Sequence, residues 1–480
     1  MAIVTHKFRT SAASGFASTF NTDNIYLMLG RPQAWDNSLS PSYQAQASGT
    51  VTDNNPPNPV DNWSNEYGFW REAMAGIKIS PSNVKLCTVR NNWSSGVRFD
   101  MYRHDISAAQ PTSTNKFDLS DGNFIVYVTS TGSVYKCLYN GTNAINTTGV
   151  VSTVQPTTTG TAPQKTADGY IWKYLYTITA ADADFVTANY VPVPTTTSIS
   201  NINGIDVILV SSAGTTYTGT PTVNIYGDGT SATAIAITSA GTISRIDVTN
   251  AGSGYTWAKV VLSGGGTPTT ANAIAIIAPQ GGHGSNLIAE TMAHNVMVAG
   301  TISGYEQNDF PVNQDFRSIA LVKNPMIYRS SVGFKVTSTQ TTFSSNTGRI
   351  IRTLVMSSSA TTAPANDVTL TGGGSQAQGL FVFQSSGTVN LTYIQPVNND
   401  VPANISDLRI ATTGNKQLYQ FTTGETITGT GYSEEVSSGG ITAIVPEIHP
   451  YSGQMLYLDY RQPVTRSANQ NEKINIVINF

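Results

Sequence analysis

The apolar residues of this chain occur in short runs that alternate with threonine and end at glycine-rich turns. Typical runs cover residues 84–89, 124–128, 134–138 and 170–178. Runs of this length that are rich in Val, Ile, Thr and aromatic residues are typical of β-strands, and the Gly, Asn and Pro between them are typical of turns. The pattern therefore predicts a mainly β protein with many loops.

An internal repeat in residues 195–285 strengthens this prediction. One copy reads IDVILVSSAGTTYTGTPTVNI from Ile205, and the other reads IDVTNAGSGYTWAKVVL from Ile246. A period of about 40 residues indicates a repeated supersecondary unit. Both copies contain an Ala-Gly-X-X-Tyr corner, at residues 213–217 and 251–255. There the glycine permits positive φ, and the tyrosine can pack back over the turn. We expect two related β-units that form one small domain.

Two stretches that are poor in charge divide the chain. We predict a core in three pieces, at residues 1–194, 286–328 and 445–480, with inserted β domains at residues 195–285 and 329–444. Surface loops tolerate such insertions because the entropy of loop closure rises only slowly with length.

Two further elements follow from hydrophobic periodicity. Residues 61–77 are the best helix candidate. Asp61 can cap this helix, and its apolar residues recur at intervals of three and four, which places them on one face packed on a sheet. These residues are Trp63, Tyr67, Trp70, Met74 and Ile77. The C-terminal sequence KINIVINF alternates Ile474, Ile476 and Ile478 with more polar positions, which predicts a half-buried strand that closes the core.

The charge of the chain excludes some classes of partner. Only 11% of the residues are charged, and 26 Lys and Arg nearly balance 29 Asp and Glu. This balance argues against a basic surface for nucleic acid and against an acidic tail. The N-terminus lacks the pattern of a signal peptide, and no stretch approaches the about 18 apolar residues of a membrane helix. We therefore expect a soluble protein made in a cytoplasm, with no nucleic-acid partner and no membrane insertion.

Residue patterns for metals and for reactive cysteines are also weak. Cys87 and Cys137 lie in apolar, strand-like surroundings, so we expect buried, reduced thiols. Neither has a nearby pair of histidines, which argues against zinc. Asp228 stands in a Gly-Asp-Gly turn, but one carboxylate does not make a calcium site.

Catalytic motifs are equally scarce among the five histidines and the acidic residues. His283, in GGHGSN, is similar to an esterase oxyanion-hole loop but lacks the Gly-X-Ser-X-Gly elbow, so we expect a turn. The glycine runs at Gly264 and Gly372 lack the Lys-Ser/Thr ending of a phosphate-binding loop and are interpreted as hairpin turns. Glu434 and Glu435 are adjacent, which does not suit a glycosidase pair and indicates an exposed charged loop. The sequence therefore predicts no catalytic, cofactor-binding or metal-binding residue, no cofactor and no enzymatic activity.

Aromatic residues in the repeat leave one alternative open. Tyr217, Tyr226, Tyr255 and Trp257 could form a platform on which sugars stack, although packing in the core and at the corners is the preferred interpretation. A carbohydrate-binding tail adhesin or fibre-associated protein is therefore kept as the alternative function.

Ordered motifs occur in the three core segments and include both termini. They are AIVTHKFRT from Ala2, MAGIKISPS from Met74 with the Asn-Trp at Asn92, VYKCL from Val134, DGYIWKYLYTI from Asp168, DFPVNQDFRSIALVKNP from Asp309, SGQMLYLDYRQPV from Ser452 and NEKINIVINF from Asn471. Taken in this order, they resemble the baseplate wedge subunit of T4-like contractile-tailed bacteriophages, the product of gene 8 in that group.

This resemblance implies a fold, partners and a location. The fold would be a multi-layer antiparallel β-sandwich, in three layers, with helix-bearing loops at its sides. The chain would form a homodimer, contact other baseplate wedge subunits and reside in the tail baseplate of the virion after assembly in the cytoplasm of the host bacterium. The family is structural, so no catalytic residue is transferred by the resemblance. The two inserted β domains depart from the family pattern.

Overall fold

A computed structural model describes most of the chain. The described residues are 3–35, 49–112, 114–119, 122–144, 146–195, 204–304, 309–328, 341–359, 363–384, 387–394, 421–439 and 446–480. The boundaries predicted at residues 329 and 444, and the first residues after the boundary at 195, lie outside them.

Strands dominate the described residues. The helices are α1 (His6–Thr19), α2 (Trp63–Glu72) and α3 (Leu287–Glu290). The strands are β1 (Ile25–Gly30), β2 (Ala73–Lys78), β3 (Val84–Val89), β4 (Ile125–Val128), β5 (Ser133–Tyr139), β6 (Gln164–Lys165), β7 (Ile171–Thr177), β8 (Tyr190–Val193), β9 (Ile205–Ser212), β10 (Thr222–Gly227), β11 (Thr233–Ser239), β12 (Thr242–Asn250), β13 (Ala258–Ser263), β14 (Asn272–Ile277), β15 (Asn295–Ser303), β16 (Asp315–Lys323), β17 (Thr347–Arg349), β18 (Arg352–Val355), β19 (Thr369–Gly372), β20 (Gln378–Gln384), β21 (Asn390–Ile394), β22 (Thr426–Gly429), β23 (Tyr432–Glu435), β24 (Gln454–Thr465) and β25 (Asn471–Asn479).

These strands form several antiparallel sheets, so the prediction of a mainly β, sandwich-rich fold is confirmed. The short runs predicted at residues 84–89, 124–128, 134–138 and 170–178 correspond to β3, β4, β5 and β7. Their burial is nearly continuous, as expected for strands that are covered on both faces.

The chain divides into two compact units. The first contains Met1–Ala17, Val84–Met297 and Ile476–Phe480, and the second contains Ser18–Asn83 and Val298–Asn475. In the first unit, four strands form a sheet in the order β4-β5-β7-β6, and β3 pairs with β8.

The sequence repeat in the first unit forms a sheet of its own, in the order β13-β10-β11-β12-β9-β14. Its two edge strands, β13 and β14, also contact each other, so the sheet curls back on itself. The two corner tyrosines pack as the repeat predicts, and each stabilises the other copy. The Tyr217 hydroxyl accepts a hydrogen bond from the Ala271 backbone N–H at 2.9 Å, and Tyr255 accepts the equivalent bond from Ala232 at 3.3 Å.

The second unit contains a five-stranded sheet in the order β17-β2-β1-β16-β24. Helix α2 packs its buried Phe69 and Trp70 into the same core cluster as Tyr26 and Met28 of β1. This helix begins at its cap Asn62, whose side-chain oxygen accepts a hydrogen bond from the Asn65 backbone N–H at 2.8 Å.

The predicted helix over residues 61–77 is therefore wrong in extent. Met74 and Ile77 belong to β2, because the segment after Glu72 pairs on one edge with β1 and on the other with β17. Strand pairing prevails here over helical periodicity. Asp61 is not the cap, and Trp63 and Tyr67, assigned to the buried face, are exposed.

A second six-stranded sheet in this unit has the order β18-β21-β20-β19-β22-β23 and its own core cluster. All its strands come from the segment predicted as the second insertion, residues 329–444. Strand β17 comes from that segment too but pairs with β2 instead. The new sheet thus begins only after Arg349.

A four-stranded sheet has the order β25-β15-β3-β8. The C-terminal strand alternates as its sequence predicts as far as Ile476, and beyond it Val477 and Ile478 are both half-buried. Ile474 and Ile476 of β25 are buried, and Asn475 between them is exposed. Both cysteines are buried and free, as expected, and burial raises the pKa of the Cys87 thiol to about 12. Among the described residues, no helix has the length and apolar character needed to span a membrane.

Candidate functional site

Two lysines lie at the centre of the apolar strands β5 and β7 in the first unit. Lys136 and Lys173 are direct cross-strand partners, and their exposed fractions are 1% and 0%. Like charges at opposite positions destabilise a sheet, and buried ammonium groups require partners. The chain must therefore bring acceptors to this face from elsewhere.

Glu290 is the main acceptor. Its Oε1 lies 2.9 Å from the Lys136 Nζ and 2.8 Å from the His283 Nδ1. Its Oε2 accepts a hydrogen bond from the Gly284 backbone N–H at 2.6 Å. The short helix α3 fixes this carboxylate, because the Asn286 side chain caps the helix one turn earlier. Burial alone would raise the pKa of Glu290, but Lys136 and His283 outweigh it and lower this pKa to about 2, so the carboxyl is ionised at neutral pH. Burial lowers the pKa of Lys136, and Glu290 opposes that shift.

Asp206, from the first strand of the repeat sheet, completes the cluster. Its Oδ2 lies 3.7 Å from the His283 Nε2. Burial raises the pKa of Asp206, and burial together with Lys136 lowers the pKa of His283. These directions fit a neutral imidazole that donates its Nδ1–H to Glu290. Lys173 donates instead to the Thr161 carbonyl oxygen.

Tyr102 covers the ion pair. Its ring centroid lies 3.6 Å from the Lys136 Nζ, which is a close cation–π contact, and its ring meets the His283 imidazole edge to face at 5.2 Å. Burial raises the pKa of the Tyr102 phenol, so the hydroxyl remains protonated at neutral pH.

A cavity of about 780 Å³ opens beside this cluster, within the first unit. Lys136, Glu290 and Tyr102 line it, together with polar residues of α1 and the segment around Asn286. This volume lies within the range of small-ligand pockets, about 300 to 1,000 Å³. The cavity with its charged cluster is therefore the candidate site.

The histidines considered as catalytic candidates lie in different parts of the structure. His283 lies in a turn, as predicted, but it is buried and belongs to the charge cluster. His6 lines the cavity, and His104 accepts a hydrogen bond from the Ile277 backbone N–H at 3.2 Å. His449 lies in the second unit and contacts the Pro450 carbonyl oxygen.

The acidic residues considered as metal ligands or catalytic groups are placed as follows. Asp228 accepts hydrogen bonds from the Thr256 hydroxyl and from two backbone N–H groups, and thereby fixes the loop before β13. Glu434 and Glu435 lie in strand β23, so the prediction of a charged loop there is wrong. Within the described ranges, no group of three His, Cys, Asp or Glu residues could hold a metal ion.

The glycine runs differ from each other. The turn at Gly372 joins the paired strands β19 and β20, as a hairpin does. The turn at Gly264 joins β13 and β14, which are the two edge strands of their sheet and not a hydrogen-bonded pair, so it is not a simple hairpin.

The candidate residues themselves were missed in the sequence. A lysine at the centre of an apolar strand, as in SVYKCLY and IWKYLYT, was the available signal, because lysine is rarely buried without a partner. No local pattern identifies the partners. No protein-family model matches this chain, and no curated protein matches it at a significant level.

Proposed function

We propose that this protein is a structural subunit of a bacteriophage tail baseplate wedge, which acts by protein–protein assembly in the contractile injection machinery. The observation that carries the proposal is the position of the ordered motifs. They overlap α1, β2, β5, β7, β16, β24 and β25, except for the Asn-Trp at Asn92, which lies between β3 and β4. All of them lie outside the two six-stranded sheets.

The motifs lie in the strands outside the two six-stranded sheets, and this position supports the proposal. Such core strands determine a fold, whereas inserted segments can vary within a family. Strands β5, β7 and β16 are almost entirely buried, so their side chains are constrained by packing on both faces. On this proposal, the two six-stranded sheets are insertions into a fold that the chain shares with the family.

Exposed apolar side chains support a role in assembly. In the first unit, Ile3 and Val4 before α1 and Phe8 in its first turn are mostly exposed, and in the second unit Trp63 is 83% exposed. Exposed apolar patches on soluble proteins often mark surfaces for protein partners. We assign these positions to contacts with a second copy of the chain and with other wedge subunits.

Immunogold electron microscopy tests the location. Antibodies raised against the chain should label the distal end of the tail in intact virions, and labelled particles should lose the signal when free protein is added as competitor. Labelling confined to the capsid, or absence of the chain from purified virions, would contradict the proposal.

One observation favours carbohydrate binding as a second candidate function. Tyr226 and Trp257 were expected to pack in the core, but they are 56% and 55% exposed. Asp228 accepts a hydrogen bond from the Trp257 backbone N–H at 3.2 Å, so this exposed indole stands on a fixed backbone. Fixed aromatic side chains with a polar edge suit a ligand that has both apolar and polar faces, as sugars have.

A glycan array probed with the full chain tests this second function. The wild type and the variant Tyr217→Phe, which changes only a buried corner, should bind the same glycans, and Trp257→Ala should lose them. Absence of any bound glycan, or binding that Trp257→Ala retains, would remove this candidate.

A further inference from the structure

The cavity beside the Lys136–Glu290 pair contains hydrogen-bond donors that no acceptor among the described residues engages. An ammonium group has three N–H donors, and within the described chain Lys136 donates one hydrogen bond, to Glu290. Tyr102 also lines the cavity, and its hydroxyl has no hydrogen-bond partner among the described residues. The available carboxylate offers little in return, because Glu290 already receives Lys136, His283 and the Gly284 N–H.

One face of helix α1 adds a cation and two hydroxyl groups to the cavity. Lys7, Ser11 and Ser14 are spaced by four and three residues, so they share a helix face, and all three line the cavity. The side chains of Ser11 and Ser14 form no hydrogen bond within the described ranges. The Lys7 ammonium adds a positive charge that the Lys136–Glu290 pair does not cancel.

The rest of the lining is apolar. Leu119, Phe124, Ile288 and Met292 contribute to it. A ligand that satisfies both parts of the surface needs an oxygen-rich anionic group next to an apolar group, since charge-assisted hydrogen bonds are the strong ones and apolar contacts supply burial.

We propose that this cavity binds a carboxylate that is adjacent to an apolar side chain, as in an acidic–aromatic peptide segment of a neighbouring protein. This peptide source rests on the proposed assembly function. The recognition itself does not, because it follows from the donors and the apolar lining of this chain alone. A small free carboxylate is the alternative source, and the experiment separates the two.

Isothermal titration of the purified full chain provides the test. The probes are 3-phenylpropionate, its neutral isostere 3-phenylpropanamide, inorganic phosphate, and the peptides acetyl-Phe-Asp-Phe-amide and acetyl-Phe-Asn-Phe-amide. Each carboxylate should bind at least about tenfold more tightly than its amide, a difference of about 1.4 kcal/mol. The aspartyl peptide should bind more tightly than 3-phenylpropionate, and phosphate should bind weakly because it has no apolar part.

Variants assign the binding to this cavity. Lys7→Gln and Tyr102→Phe should each weaken the carboxylate probes several-fold and leave the amide probes nearly unchanged, whereas Lys259→Gln, on an exposed position of β13, should change neither. Tyr102→Phe keeps the ring over Lys136 and removes only the hydroxyl, so the fold is retained.

The outcomes are distinct. Equal affinity for acids and amides, or carboxylate binding that survives both cavity variants, would overturn the site. Tighter binding of free 3-phenylpropionate than of the peptide would overturn the peptide source. Absence of the chain from the virion would contradict the proposed function and leave these titrations unchanged.

Discussion

Removal of the Glu290 charge tests the buried cluster most sharply. In Glu290→Gln, Lys136 loses its ionic partner while it remains 1% exposed and directly opposite Lys173. Loss of one member of a buried ion pair costs about 3 to 5 kcal/mol. The fall of the Glu290 pKa from 4.5 to about 2 gives a similar magnitude, about 3 kcal/mol at about 1.4 kcal/mol per pKa unit. We therefore expect the free energy of unfolding to fall by about 3 kcal/mol.

Two control variants test whether the loss of stability comes from leaving a charge buried without its partner. Asp247→Asn breaks the solvent-accessible pairs that Asp247 forms with Lys165 at 3.4 Å and with Arg245 at 3.0 Å, and should cost about 1 kcal/mol or less. The double variant Lys136→Met/Glu290→Gln also removes the Lys136 charge and should recover most of the loss, because Lys136 is then no longer a buried ion without its partner.

Urea melts followed by tryptophan fluorescence, to which the buried Trp172 next to Lys173 on β7 contributes, provide the assay. All variants should be compared at one protein concentration, because association contributes to stability. If Glu290→Gln lowers the free energy of unfolding no more than Asp247→Asn does, the buried Lys136–Glu290 pair does not stabilise the fold as argued.

The free energy of unfolding should fall as the pH is lowered. The pKa of Glu290 is lowered on folding, so its contribution is fully present above pH 4.5 and is lost as the pH falls toward 2. The pKa of His283 is also lowered, so its titration removes further stability below pH 6.5, in the same direction. The gap between wild type and Glu290→Gln should therefore narrow below pH 4.5. A gap that stays constant down to pH 3 would contradict an ionised Glu290 in the folded state.

Three further predictions concern the repeat sheet, the C-terminal strand and the oligomer. Gly252→Ala should cost several kcal/mol in a thermal melt, because its φ is +65° and a Cβ would clash with the Thr230 carbonyl oxygen. Gly264→Ala, at φ +78° with open space, should cost only about 1 to 2 kcal/mol. Equal losses would argue against the close approach. Ile476→Ala should destabilise the protein by about 2 to 5 kcal/mol in urea, and the exposed Asn475→Ala by less than about 0.5 kcal/mol. Similar costs for the two would mean that β25 is not anchored through Ile476. Light scattering should give twice the chain mass before and after chelation; a monomer, or a dimer that chelator dissociates, would contradict a metal-independent homodimer.

Much of the fold could be predicted because strand signals are local. The alternation in KINIVINF and the runs at β3 and β5 depend on side chains within one strand. The repeat also predicted the packing of its corner tyrosines, because glycine and tyrosine recur at the same spacing in both copies.

The helices were harder to predict. Helix α1 buries only Thr10 and Ala13, so its sequence has no apolar period and was not recognised. Helix α2 has a periodic sequence that continues beyond its end, and only the pairing of β2 with β1 and β17 explains why the helix stops at Glu72.

The candidate site could not be predicted for a different reason. Lys136 and Glu290 are separated by 154 positions, and only the folded chain brings them to 2.9 Å. Within its own strand, Lys136 is a single charge among apolar residues. Such a residue signals that a partner exists, but the sequence does not identify the partner.

On the proposed function, the chain is built into the baseplate wedge. Cryo-electron microscopy of the intact tail tests this location most directly. The map is first reconstructed without symmetry, and six-fold symmetry is imposed only afterwards. The proposed function predicts density for two copies of this fold in every wedge, with both six-stranded sheets recognisable. A baseplate whose density is fully explained by other proteins, or density for this fold only in the fibres or the capsid, would contradict it.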